Sequence, residues 1–162
     1  MFTLMHNQLL EVTFNMNQAH QLSTMIALVA NKFDGKFDKG GQPYILHCMK
    51  VMHYVKSTDF EVLQMCVGHD LIEDCKDVTY EMLKQLGFSD RVIAGIRAVT
   101  KVPGQTHKEY MDGIKANPDA ILVKLADLRH NSDIRRLKGI TEKDVARMRK
   151  YHEMYLELKD LV

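Results

Sequence analysis

The sequence predicts an all-α fold, a single compact helical bundle. Apolar residues recur with a period near 3.6 along most of the chain, and no segment alternates convincingly with period two. The chain holds 3 prolines, so few helical patterns are interrupted. Its 162 residues suit one domain with a sizeable core, and 46% hydrophobic with 27% charged residues is an ordinary globular composition. No repeat, low-complexity tract or linker divides the chain, so residues 1–162 read as one domain.

Each element follows from local pattern. Residues 18–32 put Ala19, Leu22, Met25, Ile26 and Val29 on one helical face. The stretch 32–43 is a polar, glycine-rich loop. Pro43 opens the next helix at its first turn, where a missing N–H costs nothing. That helix runs to about Ser57, with Ile45, Met49, Met52 and Val55 inward. Asp59 caps a helix over 60–74 whose apolar side holds Val62, Leu63, Cys66 and Val67. Thr79 caps a short helix ending at Gly87, with Leu83 inside. Ser89 caps 90–101, and Thr106 caps 107–116, which Pro118 closes. A long helix spans 119–137. Thr141 caps 142–160, where Glu142 and Asp144 suit the positive end of the helix dipole. Residues 1–15 fit this pattern least.

Charge and composition narrow the function classes. Lys+Arg 22 against Asp+Glu 21 leaves +1, so no global field draws the chain to nucleic acid or anionic lipid. The run Arg147-Met148-Arg149-Lys150 reads as a solvated helix face, since Glu153 and Glu157 follow it. No apolar stretch approaches the ~20 residues of a membrane span. The N-terminus lacks the basic start and long apolar core of an export signal. The expected setting is the cytoplasm, with Cys48, Cys66 and Cys75 reduced. A structural zinc site is weighed and set aside, because no second closely spaced pair joins Cys66 and His69. All three cysteines read as structural, with Cys66 in an apolar stripe.

Three separated segments offer metal ligands: Pro43–His47, His69–Asp74 and Lys124–Asn131. Each lies in a mostly apolar helix, where a charge needs a partner, an ion or water. His69 and Asp70 adjoin, and two such side chains can grip one ion placed between their directions. Glu73 stands one turn beyond His69, and Asp74 one turn beyond Asp70. Ligands plus a nearby carboxylate are what a metal-activated water needs. In the third segment Lys124, Asp127, Asn131 and Arg135 form a stripe at helical spacing, suited to a metal with a phosphate beside it. Singly, each has an ordinary reading: His47 as a satisfied core histidine, Asp127 as the partner of Lys124 or Arg129, Glu73 and Asp74 as a solvated helix end. Their coincidence in three segments outweighs those readings. Two imidazoles with two carboxylates suit Mn²⁺ above Zn²⁺.

The strings DKGGQPYILH, HDLIED and VKLADLRHN, in this order, resemble the hydrolase domain of RelA/SpoT-type alarmone enzymes, a branch of the HD-domain phosphohydrolases. The resemblance covers roughly residues 18–137. It implies a compact all-α bundle of the HD type that uses one divalent ion, usually Mn²⁺, to remove the 3′-pyrophosphate of guanosine tetra- or pentaphosphate. Carried over by position, His47, His69, Asp70 and Asp127 match the metal ligands. Glu73 and Asp74 match the acidic pair that positions or deprotonates the attacking water, and Asn131 matches an asparagine that touches that water or the substrate. Lys36 and Lys39 fall where the family places basic residues near the nucleotide. Tyr44, Lys101, Lys124, Arg129 and Arg135 complete the candidate substrate-binding residues. The chain ends too soon for a synthetase domain, so the resemblance implies a stand-alone small alarmone hydrolase. Residues 1–15 lie outside it, and Met16 is where a typical member would start.

The sequence departs from the family's pattern at Phe33 and Lys36, where a histidine and a glutamine are frequent on the nucleotide side of the pocket. Cys48 replaces a frequent proline, and Gly68 a bulky apolar residue. The expected partner is a small nucleotide, with neither nucleic acid nor membrane involved; the sequence leaves the oligomeric state open. Two rivals remain. One is an HD-type hydrolase acting on another nucleotide, such as a nucleoside monophosphate or the 2′-phosphate of NADPH. The other is a helical module that binds a nucleotide without turning it over.

Overall fold

The computed structural model describes the backbone of residues 2–162 and the side chains from residue 16 onward. The described chain is helical throughout, without a β-strand; one isolated bridge joins Phe37 to Pro43. The helices are α1 (Phe2–Lys32), α2 (Ile45–Tyr54), α3 (Phe60–Gly68), α4 (Leu71–Asp74), α5 (Tyr80–Gln85), α6 (Asp90–Val99), α7 (His107–Lys115), α8 (Pro118–Asn131) and α9 (Glu142–Leu158). The caps fall where polar residues precede apolar runs. Asp59, Thr79, Ser89 and Thr106 each accept a backbone N–H of the helix that follows. Thr106 with Glu109, and Thr141 with Asp144, form reciprocal capping boxes.

α3 is the axle of the bundle. Glu61, Val62, Gln64, Met65, Cys66, Val67 and Gly68 are all buried, because α1, α2, α6 and α8 pack around it. Such a helix cannot be amphipathic, and its sequence VLQMCVG is apolar on nearly every side. Gly68 has a physical reason. A Cβ there would lie 2.8 Å from Met25 Sδ and 3.2 Å from Ile96 Cδ1, so the volume is already filled from α1 and α6.

Four sequence expectations shift. The first helix begins at Phe2, well before residue 18, so the helix runs through the segment that fitted the pattern least. In α2 the buried face is His47, Cys48 and Val51, while Ile45, Met49, Met52 and Val55 are only partly covered. That face turns toward α3 and α8, and an apolar count could not weigh a buried histidine. The helix expected over 60–74 breaks at His69-Asp70 into α3 and α4. The helix expected over 119–137 starts at Pro118, capped by Asn117, and stops at Asn131; Asp133 then caps a 3-10 turn, Ile134–Arg136. The three cysteines are free and buried, as expected.

The loop between α1 and α2 is tied down by one carboxylate. Asp38 Oδ1 accepts the backbone N–H groups of Gly40 (2.8 Å) and Gln42 (2.9 Å), and Oδ2 accepts Arg136 Nη2 at 2.8 Å. Burial works against the Asp38 charge, but Arg136 and these amides hold its carboxyl below the usual carboxylate range. Gly40 makes the docking possible, since a Cβ would meet the backbone oxygen of Arg136 at 2.4 Å. Backbone cannot yield as a side-chain tip can. Gly40→Ala is therefore expected to lose about 1–3 kcal/mol of stability, the usual cost of overpacking. Thermal melts beside the wild type check this; an unchanged melting temperature would show that the loop is not held there.

Candidate metal centre

The break after Gly68 matters because of what it carries. His69 and Asp70 occupy the turn between α3 and α4 with backbone angles still in the helical region, so their side chains diverge much as ~100° helical neighbours do and can grip one point between them. His47 comes from the buried face of α2, and Asp127 from α8. Their polar atoms converge. His47 Nε2 stands 3.2 Å from His69 Nε2 and 3.4 Å from Asp70 Oδ2, and His69 Nε2 is 3.0 Å from Asp70 Oδ2. Asp127 Oδ1 lies 3.4 and 3.6 Å from the same two imidazole nitrogens.

His47, His69 and Asp70 could hold a metal ion. The spacings fit one: bonds of roughly 2.1 Å place neighbouring ligands about 3.0 Å apart at right angles and about 3.4 Å apart in a tetrahedron. The outer nitrogens fit as well. His69 Nδ1 lies 2.8 Å from the carbonyl oxygen of Cys66, so Nδ1–H donates there and Nε2 is left for a ligand. His47 Nδ1 lies 2.6 Å from Nδ1 of buried His130. Burial, Arg136 and His47 push His130 down to about 4, so it is neutral at pH 7 and can accept the proton of His47 Nδ1. That again leaves Nε2 facing the cluster. No signal for His130 was visible in the sequence, where it is simply the residue before Asn131.

The charges support one another. Burial disfavours a charged His47 or His69, yet Asp70 and Asp127 outweigh it and raise both above the ordinary histidine value. Burial likewise opposes the Asp127 charge, and Lys124 leads the groups that hold its carboxyl well below its usual range. Burial would lower Lys124, but Asp127 and Tyr110 keep it raised.

Several candidate residues turn out to be committed to this cluster. Tyr44 donates its hydroxyl to Asp70 Oδ2 at 2.6 Å. Lys124 Nζ donates to Asp127 Oδ2 at 2.9 Å, and Asn131 Nδ2 to Asp127 Oδ1 at 2.6 Å. The acidic pair is also partnered. Glu73 Oε2 accepts the backbone N–H of Lys101 at 3.1 Å, and Asp74 pairs with Lys36 Nζ at 2.7 Å. Lys36 lies over the rings of Phe33 and Tyr44, 5.0 and 5.1 Å from their centres.

The cluster forms the floor of a cavity of about 350 Å³. Tyr44, Glu73, Asp74, Lys101, Lys124 and Asn131 line it, and Lys39 stands on its loop side. Arg129 and Arg135 do not line it. The helical stripe that included Arg135 ends with α8 at Asn131, and the 3-10 turn brings Arg136 round instead. Arg136 Nη1 donates to the His130 carbonyl (2.9 Å) and to Asn131 Oδ1 (3.2 Å). The basic run of α9 keeps its expected solvated character at Arg149 and Lys150, which are exposed. Arg147, Met148 and Lys150 also border the cavity beside Tyr151, and Glu157 pairs with Lys115 at 2.7 Å on the exposed surface.

No family model matches the chain. It is 26% identical over 138 residues to the bifunctional (p)ppGpp synthase/hydrolase SpoT of Escherichia coli K12, which covers 77% of this chain and 19% of that protein. It is 26% identical over 109 residues to the guanosine-3′,5′-bis(diphosphate) 3′-pyrophosphohydrolase of Haemophilus influenzae, covering 60% of this chain and 16% of that protein. The match thus spans 19% and 16% of the length of these relatives, a fifth or less. A solved structure of a metazoan ortholog of SpoT that hydrolyses ppGpp superposes with a TM-score of 0.70 at 23% identity, covering 84% of this chain and 83% of the other. The all-α fold is that of this structure, and the resemblance to SpoT-type ppGpp hydrolases is borne out in sequence.

The His47–His130 contact yields a test. His130→Leu removes the acceptor and leaves His47 Nδ1 without its partner. The rise in melting temperature produced by a divalent ion should shrink, matching a loss of roughly 10–100-fold in metal affinity, as for other outer partners of metal-binding histidines. An undiminished rise would show that His130 does not orient His47.

Proposed function

We propose that the chain is a metal-dependent phosphohydrolase that removes the 3′-pyrophosphate of guanosine tetra- or pentaphosphate, leaving GDP or GTP and pyrophosphate. The observation that carries this reading is the convergence of His47, His69, Asp70 and Asp127 at one buried point under a cation-lined cavity. These four residues would hold one ion per chain, with Mn²⁺ favoured by the mixed imidazole and carboxylate donors. When bound, the ion lowers the pKa of a water toward ~7 and polarises phosphoryl oxygens. The similarity to curated ppGpp hydrolases supports the substrate.

The chain's own groups have separable tasks. The Lys101 N–H holds Glu73 Oε2, which orients the carboxylate and leaves Oε1 to take the proton of the attacking water. Asp74 is neutralised by Lys36, so it orients and does not accept. Lys39, Lys101, Arg136, Arg147 and Lys150 surround the cavity and offset the charge that grows on the departing pyrophosphate. Tyr44, Lys124 and Asn131 act through Asp70 and Asp127, by holding those carboxylates in place. Arg129 and Arg135 have no part in this scheme. A small nucleotide is the proposed partner and the cytoplasm the proposed setting; among the described residues no helix is long and apolar enough to cross a membrane.

One observation favours a second substrate. Phe33 packs on Tyr44 with ring centres 4.8 Å apart, and Lys36 lies across both, where related sequences carry histidine and glutamine. Neither residue lines the cavity, but both bear on Tyr44, which does, and another nucleotide, such as NADPH through its 2′-phosphate or a nucleoside monophosphate, is the alternative. Incubation of each with the protein and Mn²⁺, followed by chromatography of the products, separates them. Tight nucleotide binding with no turnover of any would instead promote a non-catalytic module.

Two variants test the roles. His69→Ala is expected to abolish most of the Mn²⁺-induced rise in melting temperature, which binding to the native state produces by mass action. An equal rise in both proteins would remove His69 from the ligand set. Glu73→Gln is expected to keep metal and nucleotide binding but lose at least about a hundredfold in turnover, the low end for a positioned base. Asp74→Asn should lose less. If Asp74→Asn is instead the more damaging change, the assignment of the base reverses.

A further inference from the structure

Arg129 and Arg135 face a second cavity, of about 780 Å³, on the other side of α8. α8 presents Val123, Lys124, Asp127 and Asn131 to the first cavity, and Leu122, Leu125, Ala126 and Arg129 to the second. The C-terminal end of α2 and one face of α9 complete its walls. We propose that this second cavity is a binding site for a small planar anion: an aromatic ring system bearing a phosphate, sulfonate or carboxylate. The inference does not depend on the phosphohydrolase reading.

Size, floor and rim each point to such a ligand. The volume lies within the ~300–1,000 Å³ of small-molecule sites, which pair an apolar floor with a few oriented polar groups. Here the floor is leucine-rich and the rim is cationic. Arg129, Arg135, Lys159 and His152 stand around it, against one carboxylate, Asp133. That carboxylate is already engaged on both oxygens by Arg135, at 2.7 and 2.8 Å. Lys159 is occupied by its neighbour Asp160. Arg129 is different. Its guanidinium lies 4.3 Å from the ring centre of Tyr54, and among the described residues no carboxylate pairs with it. A guanidinium held over an aromatic ring is positioned before any ligand arrives, and keeps N–H groups for an anion. On the α9 side Tyr155 is 43% exposed and lies nearly parallel to His152, at 20° with centres 6.4 Å apart. This gives a flat aromatic surface for a ring to stack on.

The cavity also adjoins the first one. Asp133 borders both, and the turn Ile134–Arg136 sends Arg135 to the second cavity and Arg136 to the first. A ligand on Arg135 would therefore sit against the segment that anchors the loop after α1 through Asp38.

The probe is anilinonaphthalene sulfonate, a fused aromatic system with one anionic group, titrated into the full chain and read by fluorescence. The expected result is one saturable site that Arg129→Glu weakens at least tenfold. Tyr155→Ser, on the opposite wall, should weaken it as well, and serves if the charge reversal disturbs folding. Lys39→Glu, in the first cavity, should leave the affinity unchanged. Circular dichroism melts confirm that each variant is folded. Affinity insensitive to both Arg129→Glu and Tyr155→Ser would overturn the proposal. So would affinity abolished by Lys39→Glu, which would place the dye in the first cavity.

Discussion

The structure depends on four ionisable side chains meeting at one point between α2, α3 and α8. His47 and His69 are almost fully covered, Asp127 nearly so and Asp70 partly, inside a largely apolar bundle. Isolated charges in such a place would be prohibitive, and here they are tolerable because each stands within pairing distance of an opposite partner. Every neighbouring feature serves that balance. Lys124 and Asn131 hold Asp127, Tyr44 holds Asp70, and the outer nitrogens of both histidines are spent on the Cys66 carbonyl and on His130. The cluster is therefore oriented by the protein before it meets any ligand, which is what a metal site requires.

That demand explains the irregularities of the fold. α3 ends at Gly68, and His69 and Asp70 in the turn that follows approach the same point. α2 buries a face with a histidine in it, at the expense of residues that are more apolar. α8 stops at Asn131, and the following turn brings Arg136 back against His130, Asn131 and Asp38. One arginine thus joins the end of α8 to the loop after α1. The loop that carries Lys39 is thus held by the turn that follows the helix placing Asp127.

α8 divides the molecule chemically. One of its faces is committed to the buried cluster, and the other lies beneath a leucine floor with arginines at its edge. The two faces have opposite solutions to the problem of charge. On the first, cations are paired with buried carboxylates. On the second, Arg129 rests on an aromatic ring and faces solvent.

The amino-acid sequence by itself determined the all-α class, the polar caps at Asp59, Thr79, Ser89, Thr106 and Thr141, and the ligand-bearing segments PYILH, HDLIED and LADLRHN. These are local properties: periodicity, a capping oxygen, and side-chain chemistry at fixed spacing. Only the tertiary structure decided which polar groups meet. Tyr44 read as a substrate contact, yet packing of the start of α2 against the α3–α4 turn commits its hydroxyl to Asp70; the bonds of Lys124 and Asn131 to Asp127 lie within α8, and the first of them was already open to a local reading. His130 and Arg136 carried no signal, because their partners His47 and Asp38 are 83 and 98 residues away. Arg135 was misplaced because a helical stripe assumes an unbroken helix, and Arg129 because it lies on the side of α8 turned away from the first cavity. A helix stops where tertiary contacts outbid the next backbone hydrogen bond, and no local pattern in the sequence records that competition.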